Sequence, residues 1–147
     1  KLPNHRKHNL KFSGARSLGN GWIAGVNATA LSPRYYGCIG NHPNPRSPDF
    51  YDDSSWYCDG VLTPRGTQAQ SNWVMNVDVM ASYNVPVSRG DLTLKVDVFN
   101  LFNMDSVTDI YETGEQGGIV GNADPDYLKP TNYQTPRRVR LSATYRF

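Results

Sequence analysis

Arg137-Arg138-Val139-Arg140-Leu141-Ser142-Ala143-Thr144-Tyr145-Arg146-Phe147 reads as two interleaved series. Val139, Leu141, Ala143, Tyr145 and Phe147 are apolar, and Arg138, Arg140, Ser142, Thr144 and Arg146 between them are polar. Period-two alternation is the pattern of an extended strand whose successive side chains point to opposite faces. An apolar face with aromatics at its border, opposite a polar face, is what a strand shows when one side meets lipid. The stretch is therefore read as a closing strand of a transmembrane β-barrel.

The same alternation recurs upstream. Trp73, Met75, Val77, Val79, Ala81 and Tyr83 form one face, and Val74, Asn76, Asp78, Met80 and Ser82 the other, with an aromatic at each end of the first. In Leu92 to Phe102 the residues Leu92, Leu94, Val96 and Val98 face out and Thr93, Lys95 and Asp97 face in, until Asn100 breaks the outward face. Gly21 to Leu31 sets Trp22, Ala24, Val26, Ala28 and Ala30 against Ile23, Gly25, Asn27, Thr29 and Leu31, and Asn9 to Ala15 repeats the pattern weakly. The expected fold is all-β: five antiparallel strands over residues 9–15, 21–31, 73–83, 92–102 and 138–147. The inward charges Lys11, Asp78, Lys95, Asp97, Arg138, Arg140 and Arg146 are expected to pair across strands, Asp78 with Lys95 for instance, or to contact a domain in the lumen.

The connections test this independently, because membrane barrels of this kind have short turns on one side and long loops on the other. Arg16 to Asn20 and Asn84 to Asp91 are short; residues 32–72 and 103–136 are long and rich in Gly, Pro, Asn, Asp and Tyr. Short and long alternate as required, placing the long loops outside the cell. Five strands leave two edges with unpaired backbone groups that hydrocarbon does not tolerate, so other strands of the same barrel are expected as partners. A soluble β-sandwich is the fold alternative, disfavoured by such long loops in a compact domain.

Composition narrows the function classes. Mean hydropathy is -0.57 and apolar content is 38%. No apolar run is long enough for a spanning helix. Barrel strands escape such averaging because only every second residue meets lipid. A net charge of +2 without a basic stripe argues against nucleic-acid binding. The chain opens at Lys1 with neither an initiator Met nor a signal peptide, and is read as a mature or truncated segment. Neither a GxSxG motif nor a histidine with a nucleophile partner is present, so no catalytic residue is assigned and no enzyme activity is expected. No cofactor is expected either. His5, His8 and His42 lack metal-ligand spacing. Asp49, Asp52 and Asp53, and separately Asp124 and Asp126, lack the spacing of a calcium loop, so no metal site is assigned.

Several short stretches, in order, resemble those of TonB-dependent outer-membrane receptors, in particular the Oar-like branch, whose plug follows a carboxypeptidase-regulatory-like domain. They are Leu2-Pro3-Asn4-His5-Arg6, Cys38 with Tyr57-Cys58-Asp59-Gly60, Thr63-Pro64-Arg65-Gly66, Val98-Phe99-Asn100-Leu101-Phe102-Asn103, Tyr133-Gln134-Thr135-Pro136-Arg137 and Tyr145-Arg146-Phe147. The resemblance implies a 22-stranded barrel in the outer membrane of a Gram-negative bacterium, closed by a plug, of which this chain would hold the last five strands. It implies a receptor that binds an external ligand and imports it with energy delivered through TonB. The implied partners are the TonB complex, acting through an upstream plug, the barrel-assembly machinery, outer-membrane lipid and lipopolysaccharide. Tyr145 and Phe147 match the family's assembly signal, although Leu141 and Ser142 stand where the family has a polar residue and then Gly. The alternative is an outer-membrane binding or structural protein without energised import, such as an adhesin or a porin-like component.

Two features of the first long loop stand out. Cys38 and Cys58, with residues 39–57 between them, suit one loop disulfide, because such proteins fold through the oxidising periplasm; two free thiols are the alternative. Arg34, Tyr35, Tyr36, Tyr51, Asp52, Asp53, Trp56 and Tyr57 mix aromatics with both charge signs, as binding surfaces do. They are read either as a ligand-gripping lid or as loop packing over the barrel mouth.

Overall fold

The computed structural model describes residues 5–44, 46–47 and 55–147. These residues are all-β and contain no helix, so none is long and apolar enough to cross a membrane, which says nothing of strands. The strands are β1 (Asn9–Gly19), β2 (Trp22–Leu31), β3 (Tyr35–Tyr36), β4 (Tyr57–Cys58), β5 (Val61–Leu62), β6 (Ala69–Gln70), β7 (Val74–Val85), β8 (Asp91–Phe99), β9 (Val107–Ile110), β10 (Pro130–Tyr133) and β11 (Arg138–Arg146). The chain divides into two compact units. A sheet unit comprises Asn9–Leu31, Met75–Asp105 and Thr135–Phe147; a loop unit comprises Ser32–Val74, Ser106–Gln134 and the described part of Lys1–His8.

The sheet unit is a single antiparallel sheet in the order β1-β2-β7-β8-β11. Register assigns the faces, because paired residues share a side of the sheet. Ala81, Val96 and Leu141 form one cross-strand row and Tyr83, Leu94 and Ala143 the next. On the opposite face lie the rows Met80, Asp97 and Arg140, and Ser82, Lys95 and Ser142. In the first hairpin Leu10 pairs with Ala30 and Phe12 with Ala28, while Lys11 pairs with Thr29 and Ser13 with Asn27.

The apolar face is bare. Leu10, Phe12, Trp22, Met75, Leu94, Val96, Val139, Leu141 and Tyr145 are all exposed, Leu141 at 76%. Trp22 and Tyr83 meet with ring centroids 4.7 Å apart, in the part of the sheet nearest the short turns. Burial in this unit falls instead on polar residues: Ser82, Asp97 and Asn100. A sheet that leaves its large apolar side chains exposed while it buries Ser82, Asp97 and Asn100 inverts the soluble pattern.

Strand ends depart from the sequence expectation in places. The first strand does not stop at Ala15; it runs to Gly19, with a register shift between Ser17 and Gly19. The turn is then only Asn20 and Gly21, with φ of 49° and 81°. Two left-handed residues make the tight hairpin turn whose twist matches that of the strands it joins. At the other end, β8 stops at Phe99 rather than Phe102, because Asn100 adopts φ 52°. The connection 32–73 carries the short pairs β3 with β6 and β4 with β5, and the connection 100–137 carries β9 with β10.

Candidate functional site

The loop unit is built around a disulfide. Cys38 and Cys58 are bonded, with Cα atoms 6.3 Å apart, and Cys38 is buried. Cys58 is delivered by a tight hairpin: β4 and β5 are joined by Asp59 and Gly60, with φ of 52° and 70°. The bridge lies against Gly114 of the second connection, where any Cβ would overlap Cys38 Sγ.

Two acids of the second connection hold the first. Glu112 Oε2 accepts from the Gly37 amide at 2.9 Å, and Glu112 Oε1 from Arg34 at 3.1 Å; the same Arg34 nitrogen lies 3.2 Å from Asp109. Glu115 Oε1 accepts from the Asp59 amide at 2.6 Å and the Gly121 amide at 2.7 Å, while Oε2 accepts from the Asn41 amide at 2.7 Å. A Cβ on Gly40 would stand 2.6 Å from Glu115 Oε2, so glycine is what lets the carboxylate in. Backbone bonds stitch the same seam: the Ile39 amide donates to Glu112 O at 2.9 Å, and the Gly114 amide to Ile39 O at 2.7 Å. Burial pushes the Glu115 carboxyl up, but its amide donors outweigh burial and hold it below the usual value. Burial raises the phenols of Tyr36 and Tyr127; the Arg34 guanidinium, 4.5 Å above the Tyr36 ring, opposes this at Tyr36.

The proposed ligand residues therefore separate. Tyr36 is 1% exposed and Arg34 is occupied by Glu112, Asp109 and the Tyr36 ring, so both face into the loop unit. Trp56 is partly exposed, capped by the Arg65 guanidinium at 4.2 Å and packed against Gly37. Tyr57 meets His42 edge-on, and Tyr35 lines a shallow pocket with Gly66, Thr67, Gln68, Ala69 and Gln70. Tyr51, Asp52 and Asp53, with Asp49 and Leu2-Pro3-Asn4, lie outside the described residues. Asp124 caps the Asp126 amide and Asp126 pairs with Lys129; among the described residues no cluster of His, Cys, Asp and Glu could hold a metal ion.

On the charged face of the sheet, Asp97 is buried and accepts from Arg140 Nε at 3.1 Å and Nη2 at 2.9 Å, with Lys95 at 2.8 Å. Arg138 and Arg140 both lie over the Phe99 ring. The expected Asp78–Lys95 pair is not formed. Register sets Lys95 beside Ser82, and Asp78 instead accepts from Asn76 Nδ2 at 2.7 Å and the Asn100 amide at 2.9 Å. Tyr145 stands on the apolar face, where its hydroxyl donates to Arg89 O at 2.8 Å, and its ring lies 6.5 Å from that of Phe147.

Sequence reasoning missed Glu112, Glu115 and Asn100. Nothing local singles out the two acids, since their donors lie far off in sequence. Asp59-Gly60 between short β-prone pairs was a legible hairpin signal. Asn100 is 3% exposed; its side chain donates to Met104 O and Thr135 O and accepts from the Met104 amide, pinning both ends of the second connection.

Fold and site together comprise a five-stranded antiparallel sheet with an exposed apolar face and a disulfide-tied loop unit. The chain is similar to the TonB-dependent transporter Oar of Myxococcus xanthus, 24% identical over 183 residues that take in 99% of this chain. It spans 16% of that protein's length. No family model matches the chain, and no solved structure matches it.

Proposed function

We propose that this chain is a five-strand part of an outer-membrane β-barrel receptor of the TonB-dependent kind in a Gram-negative bacterium. One observation carries the reading: a single face is apolar and exposed across the sheet from β1 to β11, with charge on the other side. Lipid would cover that face, and further strands of the barrel would pair with the open edges of β1 and β11. The long connections would lie outside the cell, where Tyr35, Trp56 and Tyr57, with Tyr51, Asp52 and Asp53, are the candidate ligand contacts. Likeness to a TonB-dependent transporter supports energised import, with TonB acting on a plug rather than on this chain, and catalysis forms no part of the reading.

The test is made in cells producing the full-length receptor. Site-specific photo-crosslinking should join it to TonB, and outer-membrane fractions should contain its heat-modifiable form. An outer-membrane protein that never crosslinks to TonB, under conditions that trap a known TonB-dependent receptor, would be a binding or structural barrel without energised import. A soluble full-length product would overturn the barrel itself.

A further inference from the structure

The two long connections meet on one carboxylate. Glu115, 2% exposed, takes donors from three separate stretches: the Asn41 amide and side chain just after Cys38, the Asp59 amide just after Cys58, and the Gly121 amide of its own connection. The disulfide joins only residues of the first connection to each other. What binds that connection to the second is hydrogen bonding and the ion pairs of Arg34, and Glu115 is the acid that reaches both sides of the disulfide. Among the described residues its donors are all amides rather than a basic side chain, so its grip depends on its own charge. An ionised carboxylate only accepts, whereas a protonated one turns an O–H toward amides that are themselves donors.

We propose that Glu115 is a pH-dependent latch. Ionised, it makes the two connections one body; protonated, it lets the stretches carrying Asn41, Asp59 and Gly121 part from it. This holds whether or not the sheet belongs to a barrel. The other acids around the seam are Asp59 in the turn, Asp124, whose amide donates to Gly114 O, and Glu112 beyond the disulfide, held by Arg34. His42, close in sequence to Asn41, is turned to the Tyr57 ring and to Asn44. The amide donors hold the Glu115 carboxyl below its usual value despite burial. The latch is thus fully closed above the ordinary carboxylate range, and opens as pH falls through the lowered value.

Hydrogen exchange on the full chain from pH 7 to pH 3, corrected for the intrinsic rate, tests this. The Asn41, Asp59 and Gly121 amides should lose protection together, by at least about tenfold, with one midpoint below the ordinary glutamate value, while Val96 and its strand neighbours hold. Glu115→Gln should show low protection of the same three amides already at pH 7 and no acid midpoint. Protection retained to pH 3, separate midpoints for the three amides, or an unchanged midpoint in Glu115→Gln would each overturn the latch. The last would assign the transition to Asp59, Asp124 or Glu112. If Glu115→Gln does not fold, the native titration alone decides.

Discussion

At the scale of the residue, polar side chains rather than apolar ones position the long connections. Asn100 is the clearest case: a left-handed backbone, a buried amide and bonds to both ends of a long connection. Alanine there leaves the Met104 amide and two carbonyls without their partner and strains a Cβ-bearing residue at positive φ. We expect Asn100→Ala to cost on the order of 2 kcal/mol, read as a lower temperature of thermal unfolding. An unchanged temperature would mean that water replaces the amide at no cost. Asn100 drew notice in the sequence only as a break in an apolar face. Its bonding was not legible, because Thr135 approaches it only once β11 has paired with β8.

At the scale of the element, register decides which substitutions the strands accept. Val96 and Leu141 share the exposed apolar row, and Ser142 shares the opposite row with Lys95. If lipid covers the apolar face, Val96→Arg costs about 2 to 4 kcal/mol near mid-bilayer, and Ser142→Arg much less. Comparing urea-unfolding midpoints in lipid vesicles measures the difference, and equal losses would refute the facing. Asn76 is a poor control for such a comparison, since it donates to Asp78. These faces were legible from period two alone. The strand ends were not: β1 outruns its alternation through a bulge, and the Asn20-Gly21 pair, not the hydrophobic pattern, marks where the chain reverses.

At the scale of the whole molecule, the chain is two units with different supports. The sheet unit rests on strand pairing and on whatever covers its apolar side. The loop unit rests on one disulfide and the two acids Glu112 and Glu115. Removing the bridge as Cys38→Ser with Cys58→Ser should destabilise the loop unit by about 3 kcal/mol. Limited proteolysis reads this as faster cleavage within 55–74 and 106–134, with the strands of the sheet unit as resistant as before. Equal acceleration in both units would show that they unfold as one.

Sequence alone determined the strand pattern, the two faces and the alternation of short and long connections, because each follows from neighbours in the chain and from the period of an extended backbone. It also marked the two cysteines. Only tertiary structure decided that Arg34 and Tyr36 turn inward, that Lys95 serves Asp97 rather than Asp78, and that Glu112 and Glu115 bind one connection to the other. The physical reason is range. Alternation is set by adjacent residues, whereas a buried carboxylate finds its amide donors only after distant loops have been folded against it.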